Sequence, residues 1–303
     1  MKPKQNKNTV VTIGTFDGVH IGHQKIIQRM LTVGKEKDLT PAILTFFPHP
    51  RMVLQKDANI KLINTIDEKK DILNALGIKT LIIKRFTQEF SRLTAEEFVQ
   101  RILVNELRAK HVIIGYDHRF GRNRAADIED LKAFGKTYGF EVEEITAQDI
   151  NDVAVSSTKI RNALFEGDIA IANRYLGYNF NLTGEVVKGK GLGRTIDFPT
   201  ANLNISEDYK LIPKQGVYII KSKYKDKSYF GMMNIGTNPT VNGEKQSVEI
   251  HFLDLNTSLY GEHLDIQVLK RIRDERKFES IEALKRQLYL DRQDALRYII
   301  DNV

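Results

Sequence analysis

Residues 9 to 23, Thr-Val-Val-Thr-Ile-Gly-Thr-Phe-Asp-Gly-Val-His-Ile-Gly-His, constrain the fold more than any other stretch of the chain. Val10, Val11, Thr12 and Ile13 read as a buried strand, and Gly14 and Gly18 permit a tight turn. Ile26, Ile27, Met30 and Leu31 then follow at helical spacing. A strand that turns directly into a helix is the repeating unit of an α/β sheet. The start of that helix presents free N–H groups and the positive end of the helix dipole, which together suit a phosphate. His20 and His23 lie three apart, so both side chains can face the same ligand. As metal ligands they lack the zincin pattern, which needs histidines four apart with a Glu between them. On these residues alone a phosphate site and a pair of ordinary, partly exposed histidines both stand.

With 303 residues the chain can bury two cores, so two domains are expected. Its 41% hydrophobic and 28% charged content is that of a globular protein. The net charge of +7 suits nucleic acid, a membrane surface or a small polyanion such as ATP. No long Lys/Arg block of a nucleic-acid-binding arm is present. The absence of cysteine excludes disulfides, thiol catalysis and Cys-ligated metal. Chemistry must run on His, carboxylates, hydroxyls, basic groups and a borrowed metal. The first eight residues lack the apolar core of a signal peptide, and no apolar run reaches the length of a membrane span. The expectation is a cytoplasmic protein with no membrane and no nucleic-acid partner.

Beyond the first helix, strands are expected at Ala42 to Phe47, Thr80 to Ile83, His111 to Ile114 and Phe140 to Ile145. Between them come helices opened by the capping boxes Thr65-Ile-Asp-Glu68 and Thr94-Ala-Glu-Glu97, and one from about Asp127 to Tyr138. Short apolar strands alternating with helices predict a parallel, doubly wound, Rossmann-like sheet of five strands. Pro48-His49-Pro50-Arg51 is a stiff loop at a strand's carboxyl end, where ligands of open α/β sheets bind. Val155-Ser-Ser157-Thr158-Lys-Ile-Arg161 opens another helix. Its hydroxyls are N-caps first of all, while Arg161 one turn on could add a charge-assisted phosphate contact.

After Gly177 helical periodicity vanishes until about Ser280. Six β-rich segments, 182–187, 200–205, 216–224, 229–235, 247–253 and 264–271, suggest an antiparallel barrel. Lys225-Asp226, Asn238-Pro239 and Asn242-Gly243 read as turns between them, and apolar residues from Ile281 to Ile299 as terminal helices. The loop Gly184 to Arg194 carries Gly189, Gly191 and Gly193 among Lys188, Lys190 and Arg194, a weak phosphate-cradle signal and no Walker motif. In Phe198-Pro-Thr200-Ala-Asn202, the hydroxyl and the amide share one strand face. They can be ligands of Mg²⁺ carried with ATP, or simply a polar face bonded within the barrel. Glu249 has its apolar neighbours Val248 and Ile250 on the opposite face, compatible with a base or with an exposed ion pair.

Gly14-Thr-Phe16-Asp17-Gly18-Val-His20-Ile-Gly-His23 resembles the HxGH signature of adenylyl-transferring nucleotidyltransferases. With its Phe-Asp-Gly it is similar to the bacterial bifunctional riboflavin kinase/FAD synthetase family in particular. Ser157-Thr158-x-x-Arg161 resembles that family's second phosphate motif. Gly193-Arg194, Phe198 to Asn202, Gly216-Val-Tyr, Met232-Met-Asn234, Val248-Glu249-Ile-His251, Leu259-Tyr-Gly261 and Arg273-Asp-Glu275 resemble its kinase module. The resemblance covers essentially the whole chain. It implies an FMN adenylyltransferase domain over 1–178 and a six-stranded riboflavin kinase barrel with C-terminal helices over 182–303.

The resemblance also implies roles. His20, His23 and Arg161 would act in adenylyl transfer and Glu249 as the kinase base. Gly14, Phe16, Asp17, Gly18, Pro48, His49, Asp117, Phe120, Ser157 and Thr158 would bind nucleotide or flavin in the first domain. Gly189, Gly191, Gly193, Arg194, Thr200, Asn202, Asn234 and Arg273 would do so in the second, with Thr200 and Asn202 on Mg. ATP, riboflavin and FMN are the implied substrates. Two positions depart from the family pattern: His118 replaces a usual aromatic, and Asp197 stands where a glycine is usual. Altered ring contacts are expected from the first, and a negative charge near the phosphate loop from the second. An adenylyltransferase for another substrate, a tRNA synthetase relative and a non-catalytic flavin or RNA binder are the alternatives. The kinase-like half argues against the enzymes, and retention of His20, His23 and Glu249 against the binder.

Overall fold

The computed structural model describes residues 7–55, 60–116, 118–146, 155–189, 192–240 and 243–302. The chain divides into two compact units, Met1–Ser156 and Ser157–Val303. The first contains β1 (Thr9–Ile13), α1 (Ile21–Glu36), β2 (Thr40–Phe47), α2 (Pro50–Leu54), α3 (Ile66–Ala75) and β3 (Thr80–Arg85). It continues with α4 (Gln88–Ser91), α5 (Ala95–Phe98), β4 (Ala109–Gly115), α6 (Ile128–Tyr138) and β5 (Glu141–Ile145).

All five strands run parallel in the order β3-β2-β1-β4-β5, the doubly wound arrangement expected. Alternate residues of each central strand enter different cores. Val10, Ile43 and Ile113 pack with Ile27 and Met30 of α1 and Leu73 of α3. Val11, Leu44 and Val112 pack on the other face with Val99, Leu103 and Leu131. Each such side chain contributes about 1.5–3 kcal/mol of burial. Both expected capping boxes form. Thr65 Oγ1 accepts from Glu68 N at 3.1 Å while Glu68 Oε2 accepts from Thr65 N at 2.8 Å, and Thr94 and Glu97 repeat the exchange. Gly77 and Gly139, with φ of +94° and +74°, stop α3 and α6. The helix begun by Thr94 does not stay α-helical. It widens to a π-helix over Val99–Glu106, which keeps Val99, Ile102 and Leu103 buried.

The second unit opens with α7 (Ser157–Glu166) and α8 (Ile169–Leu176), followed by β6 (Asn181–Val187), β7 (Ala201–Asn204) and β8 (Gly216–Tyr224). Then come β9 (Lys227–Thr240), β10 (Gly243–Phe252), β11 (His263–Arg273) and α9 (Ile281–Asn302). The six strands close a barrel in the order β10-β7-β6-β11-β8-β9. The two helices before the barrel attach to it: Lys214 N donates to Leu164 O at 3.0 Å, and Asn173 Nδ2 to Val268 O at 2.9 Å.

Two expectations are corrected here. Asn238-Pro239 is no turn but lies within β9, paired opposite Lys245 and Glu244. Beyond Ile235 that strand has left its partner β8, and at an open edge a missing proline N–H costs no ladder bond. The expected terminal helices are one continuous helix, α9, because residues 281–302 contain neither glycine nor proline to break it.

α9 lies on the outside of the barrel, with Ala295, Leu284 and Leu288 against Ile196, Phe198, Val217 and Met232. Arg273 of β11 clamps it, donating from Nε and Nη2 to the Asp291 carboxylate at 2.9 and 2.7 Å. Asp291 is fully buried, so removing it would strand the guanidinium. Asp291→Ala is therefore expected to destabilise the second unit by about 3 kcal/mol, measured by denaturant unfolding.

Candidate active sites

In the first unit, pairing of β1 with β2 and β4 delivers the turn 14–20 to the carboxyl end of the central strand. Three of its residues are left-handed: Phe16 at φ 46°, Gly18 at 87° and Val19 at 36°. For Phe and Val this is strained, and the strain is held by buried anchors. Asp17 is 1% exposed, and its carboxylate accepts from Ile63 N at 2.9 Å. The Thr15 carbonyl accepts from Thr45 Oγ1 at 3.1 Å and from Lys69 Nζ at 2.7 Å.

The turn presents the histidines at the start of α1, whose first turn holds no acidic residue to oppose a phosphate. His20 and His23 stack with centroids 3.7 Å apart at 18°, and Phe16 lies 4.7 Å from His23. Burial above all, then the charges of His20 and Lys69, holds the His23 imidazole well below its usual 6.5, so it is neutral at pH 7.

Beside them opens a cavity of about 410 Å³, lined by Gly14, Phe16, His23 and Phe120 of the expected residues. Phe46, Phe86, Phe90 and Phe98 build an aromatic wall that sequence reasoning missed, since they come from β2, the loop after β3, α4 and α5. His118 also lines it, stacked on Phe120 at 6.2 Å and 20°, so the departure from the usual aromatic retains a ring contact. Asp17 and Gly18 serve the turn. His49 caps α2, its Nδ1 accepting from Arg51 N at 3.2 Å, directly after the cis Phe47–Pro48 bond. Asp117 lies outside the described residues. Ser157, Thr158 and Arg161 stand on the first turns of α7, in the second unit, with Arg161 only 9% exposed.

In the barrel the hydrogen-bond register assembles a single row. Asn202 pairs with Glu249, Glu249 with Asn234, Asn234 with Val217, and Val217 with Arg273. Directly paired residues project to the same side, so residues more than 50 apart in sequence, such as Val217 and Arg273, become neighbours. Val248 and Ile250 are buried on the opposite side, as expected. Glu249, Asn234, Val217 and Arg273 of the row line a cavity of about 260 Å³ together with Thr200, Gly193 and His251, while Asn202 is not in its lining. Thr200 Oγ1 lies 3.4 Å from Glu249 Oε2, and His251 Nδ1 lies 2.9 Å from Pro199 O, the residue before Thr200. Thr200 and Asn202 share the half-buried face, while Ala201 and Leu203 are buried.

Two glycines are needed for space. A Cβ on Gly189 would land on the Asn202 amide, and one on Gly193 on the Phe198 carbonyl. Gly191 lies outside the described residues. Arg194 donates to the Tyr260 hydroxyl at 2.8 Å, and Arg273 is turned to Asp291. Asp197 adopts φ +66°, the left-handed turn an Asp tolerates, and its carboxylate meets Lys285 Nζ of α9 at 2.5 Å. Its negative charge is thus matched.

The donor set of hydroxyl, amide and carboxylate oxygens around Thr200 suits a hard cation held jointly with phosphates. No cluster of three His, Cys, Asp or Glu that would cage a metal occurs among the described residues. Nor, among them, is any helix long and apolar enough to cross a membrane.

Comparison with known proteins matches residues 2–159 to the FAD synthetase family and residues 176–299 to the riboflavin kinase family. The chain belongs to the bifunctional riboflavin kinase/FMN adenylyltransferase family. It is 38% identical to the member from Listeria monocytogenes over 95% of this chain and 91% of that one. The Bacillus subtilis member is 37% identical over 98% and 94%. The Escherichia coli K12 member is 37% identical over 95% and 92%. A crystal structure described as a macrolide-efflux protein from Streptococcus pneumoniae superposes with a TM-score of 0.86 at 30% identity, covering 97% of this chain and 96% of that one.

His23 titrates below 6.5 when folded and near that value when unfolded. As pH drops below 6.5 the unfolded state takes up a proton that the folded state resists, so stability is lost on acidification. The first unit is expected to melt lower at pH 5 than at pH 7.5, with a smaller difference in His23→Ala.

Proposed function

We propose that the N-terminal module, 1–178, and the barrel module, 182–303, each perform one of the family's two reactions. The supporting observation is that each cavity carries its own chemistry-bearing group in its wall: His23 in the first unit and Glu249 in the second. In the barrel, Glu249 accepts the proton of the riboflavin 5′-hydroxyl as that oxygen attacks the γ-phosphorus of ATP, giving FMN and ADP. Asn234 and Thr200, beside Glu249, orient the carboxylate and the reacting groups. Thr200 and Asn202 would hold Mg²⁺, which when bound neutralises phosphate charge. Gly189, Gly193 and Arg194 bring the preceding loop close to the phosphates. The module borders we assign are 1–178 and 182–303.

In the first unit, an FMN phosphate oxygen attacks the α-phosphorus of ATP, and pyrophosphate leaves as FAD forms. His20 and His23, with the N-terminus of α1, stabilise charge on the transferring phosphates, and no protein nucleophile is required. Ser157, Thr158 and Arg161 are assigned to the departing pyrophosphate on their motif. The aromatic wall suits a flat ring system. ATP as the shared substrate supports a cytoplasmic place of action.

Given riboflavin, ATP and Mg²⁺, the protein should yield FMN and then FAD on chromatography. His23→Ala should stop the sequence at FMN. Glu249→Ala should block riboflavin consumption while sparing FAD formation from added FMN; an intact kinase rate in it would refute the base assignment. Gly189→Ala, by displacing the Asn202 amide, should slow riboflavin phosphorylation by about tenfold or more and leave FAD formation from FMN unchanged.

A further inference from the structure

The inner face of α3 is apolar at Leu73, which is fully buried, yet one turn earlier it carries Lys69, only 3% exposed. An ammonium is costly to bury, and packing alone would be met by a methionine of similar length. Lys69 is placed specifically: its Nζ donates to the carbonyl of Thr15 at 2.7 Å, inside the turn that carries the histidines. Its charge partner is Asp17 of the same turn. Asp17 in turn accepts from the backbone of Ile63, three residues before α3 begins. Segment 63–69 is therefore bound to the turn by a buried cation and a buried anion.

We propose that Lys69 is a positioning residue for adenylyl transfer, fixing the Thr15 carbonyl and setting a positive charge behind His20 and His23 where the polyphosphate binds. The proposal rests on the assignment of that histidine pair. Because His23 is uncharged at neutral pH, its imidazole offers hydrogen bonds and no net charge, and Lys69 sets a cation behind it. The groups facing His23 are His20 and Asp17 from the turn and Lys69 from α3, with His118, Arg119 and Arg124 lining the same cavity. Of these, the charges of His20 and then Lys69 act on His23, and both oppose protonation there.

The test uses the full chain, whose riboflavin kinase reaction, run in the other unit, is an internal reference for the amount of active protein. Lys69→Met is expected to leave that rate unchanged and to slow FAD formation from FMN and ATP by about ten- to a hundredfold, the usual cost of removing a partner that orients a reacting group. With a like charge removed, His23 protonates more readily, so the acid limb of the FAD-synthesis pH profile should move to higher pH. Lys69→Arg, which keeps the charge, should recover a large part of the rate. FAD formation within twofold of wild type in Lys69→Met, with an unmoved pH profile, would overturn the proposal. So would loss of both activities, or failure of Lys69→Arg to recover any rate. His23→Ala separates the premises: if it still makes FAD, the histidine assignment itself falls, whereas an inactive His23→Ala beside an active Lys69→Met rejects Lys69 alone.

Discussion

Backbone pairing register is the constraint on which both sites depend. In the parallel sheet it sets Ile13 beside Leu44, so the turn after β1 emerges between strands at their carboxyl ends, where the helix N-terminus can meet a phosphate. In the barrel it lines up Asn202, Glu249, Asn234, Val217 and Arg273 across five strands. A slip of one residue in β10 would exchange Glu249 for Val248 or Ile250 and close the site with an apolar side chain. The closed barrel removes free edges along most of the sheet and so holds the register.

Paired buried charges accompany this geometry in both units. Asp17 and Lys69 tie a strained turn to α3, where Phe16 and Val19 occupy conformations that neither would hold alone. Arg273 and Asp291 fasten α9 over the outer face of the barrel, and Asp197 with Lys285 fastens the same helix to the loop before Phe198. Removing one partner of a buried pair, Asp17–Lys69 or Arg273–Asp291, leaves an uncompensated charge, whereas the exposed Asp197–Lys285 pair adds little.

Much of the architecture was legible from local pattern. The β-branched run at Val10 to Ile13, the capping boxes at Thr65 and Thr94 and the stop at Gly139 are signals carried by neighbouring residues, and each formed as read. The misread places are those where distant partners decide. Pro239 sits in a strand because that segment of β9 has only one neighbour, while α9, free of glycine and proline, runs unbroken along the side of the barrel it covers. The π-helix after Phe98 carries no local signature that would separate it from an α-helix.

By itself the sequence determined the strand-turn-helix unit with its paired histidines, the order of an α/β unit before a barrel, and the alternation that keeps Glu249 off the apolar face. Those properties follow from side-chain periodicity and backbone preference, which act over a few residues. Only the tertiary structure decided that Phe46, Phe86, Phe90 and Phe98 converge on one cavity. It also decided that Asn234 stands next to Glu249, that Lys285 answers Asp197, and that a lysine from α3 underlies the histidine turn. Such juxtapositions are set by strand register and helix packing, which join residues far apart in the chain and leave no mark on the local pattern.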